Sequence, residues 1–412
     1  RLLDSLGGRV IDGKKVRAEA LGRTAVFRGR TVSGDFVFEV PQEIATSRFL
    51  IEADGAADTV RFHLRDSGIP LLVVDAVSGR GVDTPVIALP GGTSISGDDK
   101  GRVVLPAIIY SGSFTVDARG YRPLRVSAEL LSRPDADPLV RLQPVLNGLL
   151  LGRRISIDPS GGGSDEYGIG PDRLRGSTVN MELAKRIGSI LSAAGASVGF
   201  TRRGEETVSV YERIDRVNRF APEIALGLRL GSPSMTDEGL FAFRHYPGSR
   251  NGARAAEELS LTVCTLPPCT SPVVEESAAL FLQQTSCPAC EIHAPLVEFT
   301  EALFRNPSWL DLEASLIVKG LTGFFSDDLP PCGPQELEIL PDGVPVPGVL
   351  VSLDGIFSAL TDERGIARFE CFDPGMHLLT VSLPGGGDFV EELEIEPGST
   401  GIHTIVIDPR SP

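Results

Sequence analysis

The chain has 412 residues, of which 42% are hydrophobic and 23% charged, and its net charge is −16. That length suits three or four domains, and the acidic balance argues against non-specific nucleic-acid binding, which depends on clustered Lys and Arg. No apolar run is long enough for a helical membrane span, while forty-six glycines and thirty-one prolines favour short strands and turns over a large helical bundle.

Residues 1–68 alternate apolar and polar in short stretches, such as Phe36-Val37-Phe38 and Thr59-Val60-Arg61-Phe62, with glycine turns between them. This predicts a small β-sandwich. The chain opens at Arg1 without an apolar leader, and we expect a mature or trimmed form. A second β unit is expected over 69–143, where Leu71-Leu72-Val73-Val74 leads to Val86-Ile87-Ala88 and then to the turn Asp98-Asp99-Lys100-Gly101. A fourth unit, 329–412, repeats the design with Leu350-Val351-Ser352-Leu353 and Asp362-Glu363-Arg364-Gly365. In each turn aspartate opens the hairpin, glycine takes the positive φ, and the alternation that follows buries one strand face. Both units resemble the carboxypeptidase regulatory-like, transthyretin-type β-sandwich, a module used for spacing or binding.

Between them, 144–328 reads as alternating strands and helices. Apolar strands are expected near Ile155, Val198 and Ile224, with a helix whose face is Val179, Leu183, Ile187 and Leu191, capped by Ser177 or Thr178 and ended by Gly195. The pair Ser209 and Glu212 reads as a capping box for a second helix, and Leu310 to Phe325 as a closing one. The expected fold class is therefore multidomain α/β plus all-β: a central α/β layered domain with β-sandwich domains on both sides. Ser132 to Pro138 and Asp327 to Pro334 are the expected linkers.

Several segments of this central unit carry a family resemblance. Asp158-Pro159-Ser160-Gly161-Gly162-Gly163, Thr201-Arg202, Tyr211-Glu212-Arg213, Tyr246-Pro247-Gly248-Ser249 and Asn306-Pro307 resemble the zinc-dependent N-acetylmuramoyl-L-alanine amidases, whose first strand ends in Asp-Pro-Gly-His-Gly-Gly. The resemblance places the former site at Ser160, Gly176, Arg229 and Glu298. The family's metal-binding histidines and glutamate have no counterpart there, and Glu298 is taken as the one catalytic position retained. Catalytic zinc needs three protein ligands and an open fourth position. Serine, glycine and a permanently protonated arginine cannot supply them, so zinc is expected to be absent. Arg229 is expected to replace the metal's charge and to pair with Glu298 or Asp158.

What the resemblance implies is a catalytically inactive pseudo-amidase acting as a binding or structural component of the bacterial cell envelope or an extracellular assembly. Peptidoglycan or envelope proteins are its expected partners, in a periplasmic or extracellular location. The alternative is an active peptidoglycan amidase that recruits His245 and His293 as ligands. The five histidines, His63, His245, His293, His377 and His403, never stand at ligand-pair spacing. Ser160 lacks the Gly-x-Ser-x-Gly elbow of a serine hydrolase. The triple glycine at 161–163 lacks the lysine and spacing of a phosphate loop.

Six cysteines remain: Cys264, Cys269, Cys287, Cys290, Cys332 and Cys371. Their even number and proline-rich surroundings predict disulfides in an oxidising compartment, with a four-thiolate structural zinc site as the rival. Residues 329–412 carry fourteen Asp and Glu against three Arg, and this acidic domain is a candidate docking face for an assembly partner.

Overall fold

The computed structural model describes the backbone of residues 16–407 apart from short interruptions, the longer being 40–47, 62–68, 106–112, 128–138, 230–240, 265–271 and 327–334, and describes the side chains of these residues from Pro70 onward except at 297–300, 308 and 401. Both expected linkers thus fall outside or almost outside the described residues, as do Cys269, Cys332 and Cys371. Two compact units emerge: residues 1–118 with 123–143, and residues 119–122 with 144–412.

The first unit opens with β1 (Val16–Ala20), β2 (Arg23–Thr24), β3 (Val26–Arg30), β4 (Phe36–Glu39), β5 (Arg48–Ala53) and β6 (Ala56–Arg61). They form an antiparallel sheet of order β2-β1-β5-β6 and a β3-β4 hairpin. Next come β7 (Ile69–Asp75), β8 (Val86–Ala88), β9 (Ser94–Ser96), β10 (Arg102–Leu105), β11 (Ser113–Asp117), β12 (Leu124–Ser127) and β13 (Leu139–Leu142). These give a sheet β10-β7-β13 and a second sheet β12-β11-β8-β9, with Val73, Ile87, Leu105, Val116 and Leu142 buried.

The second unit begins with an α/β layer: β14 (Arg154–Pro159), α1 (Gly176–Ala193), β15 (Ser197–Phe200), α2 (Val210–Phe220), β16 (Ile224–Leu228), β17 (Ala242–His245), α3 (Arg250–Val263), β18 (Val273–Glu276), α4 (Leu280–Gln284), β19 (Ala289–His293), α5 (Val297–Phe304) and α6 (Pro307–Phe325). Its sheet has the order β15-β14-β16-β19-β17-β18. The first four strands are parallel, and β17 runs against β19. All four residues predicted for the apolar face of α1 are buried, as periodicity requires. The helix starts earlier than its expected caps, because the residue before Gly176 is Arg175 with no side-chain cap. Loop carbonyls take over that role: Gly176 N–H donates to Gly168 O at 3.0 Å and Ser177 N–H to Glu166 O at 2.9 Å. For α2 the expected cap holds, with Ser209 Oγ accepting from Glu212 N–H at 3.3 Å.

A terminal sandwich completes the unit: β20 (Gln335–Pro341), β21 (Leu350–Leu353), β22 (Phe357–Leu360), β23 (Ile366–Phe369), β24 (Gly375–Ser382), β25 (Asp388–Ile395) and β26 (Gly401–Ile407). Its sheets, β23-β20-β26 and β22-β21-β24-β25, repeat the topology of β7 to β13 strand for strand. The turns match as well. Asp98 Oδ1 accepts from Lys100 and Arg102 N–H at 2.9 and 2.8 Å, and Asp362 Oδ1 from Arg364 and Ile366 N–H at 2.9 and 3.0 Å. Helix α6 packs against α1, α3, β22 and β23, so one continuous core runs from the α/β layer into the terminal sandwich.

Candidate functional site

Strand order reverses beside β14, which lies between β15 and β16, and the carboxyl ends of parallel strands at such a point are where open α/β sheets form their crevices. Register then decides which side chains meet there. Asp158 lies opposite Gly227, and Gly227 opposite Glu291, so the three form one row across β14, β16 and β19. Residues in one row share a sheet face, and Arg229, two positions beyond Gly227, shares it too. Gly227 offers no side chain, and the Arg229 guanidinium lies back over it. A Cβ on Gly227 would stand 2.9 Å from both the Arg229 Cζ and the Glu291 Cγ.

The guanidinium is clasped from both sides. Its Nη2 is 2.7 Å from Asp158 Oδ2 and 2.8 Å from Glu291 Oε1. Its Nε donates to Glu291 Oε1 at 3.0 Å and its Nη1 to the Asp158 carbonyl at 3.0 Å. The Phe281 ring of α4 covers it, centred 5.0 Å from Cζ. Asp158 also accepts from Thr201 Oγ1, and from Arg213 Nη1 at 2.8 Å. Two further arginines tie the strand end to its loop. Arg213 donates to the carbonyls of Pro159 and Gly161, while the wholly buried Arg202 donates to those of Pro159, Ser160 and Ser177.

Burial by itself works against ionisation here, but the partners outweigh it. Arg229 and Arg213 hold the Asp158 carboxyl below the usual carboxylate range, and Arg229 with His293 does the same for Glu291. Arg229 is likewise held more firmly protonated by Glu291 and Asp158, despite its burial. For His293 burial prevails over the attraction of Glu291, 3.4 Å from its Nε2, and its pKa falls. The result is a buried, internally compensated ion cluster.

This geometry revises the expected site in several places. The expected partner Asp158 does meet Arg229, but the second acid is Glu291 of β19. Glu298 lies in the first turn of α5, seven residues further on, and its side chain falls outside the described residues. The signal that could have found Glu291 is an acid placed among apolar residues in Ala289-Cys290-Glu291-Ile292, all of them buried. By the motif's own count the resemblance also gives the family's first ligand a different position. Counted from Asp158-Pro159, the family's histidine falls on Gly161 and not on Ser160, a buried residue one place earlier. Gly161 has φ +74°, and a Cβ there would lie 2.7 Å from Ser177 Cβ and 2.8 Å from the Asp165 carbonyl. The strand-to-helix turn has therefore closed around a residue without a side chain. Gly176, the other expected former-site position on this side, is the first residue of α1.

His245 and His293 do not converge. His293 lies opposite Ala242 in the β17-β19 register, so His245 is three residues, about 10 Å, along the strand and on the opposite face. Among the described residues no group of three or more His, Cys, Asp or Glu is arranged to hold a metal ion. A zinc ion does not fit the described arrangement: its first ligand position has no room for a side chain, and the space beside Glu291 holds a cationic guanidinium.

The cysteine expectations meet a mixed outcome. Cys287 and Cys290 are free thiols, and Cys290 is fully buried against the apolar core. Burial pushes both thiols up, Cys287 to about 11. Neither a bridge nor a redox pair forms between them, because Cys290 lies within β19 with its side chain in the core.

Comparison with known proteins places this domain. Residues 155–322 match the family model described as N-acetylmuramoyl-L-alanine amidase. Similar solved structures include an N-acetylmuramoyl-L-alanine amidase of Nostoc punctiforme, at 18% identity over 42% of this chain and 96% of that one, with a TM-score of 0.39. Another is from Mycobacterium smegmatis, at 16% identity over 43% and 99%, with a TM-score of 0.39. A third is an amidase from Clostridioides difficile in complex with a lipoprotein, at 14% identity over 43% and 100%, with a TM-score of 0.39. No curated protein matches the chain.

Proposed function

We propose that the α/β domain is a catalytically inactive relative of the peptidoglycan amidases, retained to bind peptidoglycan or an envelope protein outside the cytoplasm. The observation that carries this reading is the Arg229 guanidinium, held by Asp158 and Glu291 at 2.7 and 2.8 Å. Amide hydrolysis by the family's route needs a divalent ion to acidify water and polarise the carbonyl. A guanidinium supplies positive charge but no coordination site for water, and its hydrogen bonds are already spent inside the protein. Glu291, tied to that guanidinium, is poorly placed to act as a general base: its carboxyl is held below the usual carboxylate range, far from neutral pH. No helix among the described residues is long and apolar enough to cross a membrane.

The test combines three measurements on the purified chain: metal content, release of stem peptides from peptidoglycan sacculi, and co-sedimentation with intact sacculi. The expected result is retention on sacculi without zinc and without release. Stoichiometric zinc accompanied by peptide release would overturn the reading in favour of an active amidase. Failure to sediment with sacculi would leave only a spacer or protein-docking role and would remove peptidoglycan as the ligand.

A further inference from the structure

The terminal sandwich is built from unequal sheets. The β23-β20-β26 sheet has three strands and faces the four strands of β22-β21-β24-β25, with β22 and β23 adjacent at the side that α6 covers. Counting strands from that side, β20 faces β21 and β26 faces β24, so no described strand lies over β25. The side chains of β25 bear the mark of this. Phe389, Glu391, Leu393 and Ile395 share the inward face; Leu393 and Ile395 are buried, yet Glu391 is exposed although its cross-strand neighbour Leu379 is fully buried. An acid on an inward row is tolerated there because the opposite sheet stops one strand short.

The two open edges also differ in protection. The outer strand β25 carries Asp388, Glu391, Glu392 and Glu394, the kind of charge that blocks edge-to-edge pairing. Strand β26 is seven residues long, contains no Lys, Arg, Asp, Glu or Pro, and exposes Ile402, Thr404 and Val406. Among the described residues it pairs only with β20. Such an edge is a template for one more strand.

We propose that β26 is a strand-addition site that receives an extended, basic segment of a partner protein, laid beside β26 and over β25 with a Lys or Arg reaching Glu391. Charge selects this occupant. Residues 329–412 carry fourteen acids against three arginines, so a second copy of this domain meets like net charge, whereas a segment that sets a Lys or Arg over Glu391 meets opposite charge there.

The experiment uses the full chain and a fluorescein-labelled peptide in which Lys alternates with Val and Thr, followed by fluorescence anisotropy. Binding is expected to weaken with salt, by about tenfold in Glu391→Lys, and to vanish in the Ile402→Lys, Val406→Lys double variant. Glu363→Lys, on the exposed hairpin of the same sandwich, makes the same charge change elsewhere and is expected to leave the affinity nearly unaltered. Unchanged urea unfolding of each variant shows that the fold is intact. Equal weakening by Glu363→Lys and Glu391→Lys would overturn the proposal, since attraction would then follow net charge alone. Equal binding of a proline-interrupted peptide would do so as well, as would a sedimenting dimer that the double variant dissociates, because the edge would then belong to a second copy.

Discussion

Replacing Arg229 by Met removes the positive charge between Asp158 and Glu291 while keeping most of the side-chain volume. Both acids touch the same Nη2, at 2.7 and 2.8 Å, so their carboxylate oxygens stand no more than roughly 5.5 Å apart, a span set by the two contacts. Asp158 keeps Arg213 and Thr201, whereas among the described residues Glu291 keeps His293 alone, whose pKa burial lowers. Breaking one side of a buried pair costs about 3–5 kcal/mol, and at neutral pH that is the expected loss. The pH dependence has a definite sign. In the parent protein both acids titrate below their unfolded values, so their contribution is present above the unfolded pKa and is lost as pH falls through the folded one. In Arg229→Met the Glu291 carboxyl is raised, its penalty grows with pH, and the difference between the proteins shrinks on acidification toward pH 4. Urea unfolding followed by the fluorescence of Trp309, the chain's one tryptophan and a residue of α6, reports on this unit. A second substitution, Glu291→Met, removes the stranded acid and is expected to restore at least about 2 kcal/mol, because apolar replacements of buried pairs are often close to neutral. A loss below about 1 kcal/mol, a loss that does not vary with pH, or a double variant as unstable as the sum of the singles would refute the reasoning.

Two further outcomes follow from crowded or buried positions. Gly227→Ala places a methyl 2.9 Å from both the guanidinium and Glu291, so it is expected to cost about 1–3 kcal/mol in the same urea assay; a neutral effect would mean that the guanidinium does not lie over Gly227. Glu313 of α6 is fully buried, and burial pushes its carboxyl up to about 8. Because the folded value exceeds the unfolded one, stability is fully present below about pH 4.5 and is lost as pH rises through 8. Glu313→Gln is expected to flatten that loss, as unfolding at pH 6 and pH 9 would reveal; an unchanged slope assigns it to another group.

The α/β character of the central domain and the repeated strand pattern of the two β-sandwiches were legible in the sequence because they rest on local periodicity. Val179, Leu183, Ile187 and Leu191 recur at helical spacing and are all buried, and the two Asp-x-x-Gly turns form the same pair of hydrogen bonds. That the resemblance sets Arg229 where the amidases have a histidine is likewise a reading of local motifs. The partner of Arg229 could not be read that way. Glu291 is sixty-two residues away in sequence and meets Arg229 only because β16 and β19 are neighbours in a register that puts Gly227 between the two acids. The same holds for His245, whose strand parity turns it away from His293, and for Gly161, whose left-handed backbone leaves no room for a side chain. Periodicity is a property of the segment, so the chain alone determines it. Which strands lie side by side, and in which register, depends on packing across the whole sheet, and only the tertiary structure decided it.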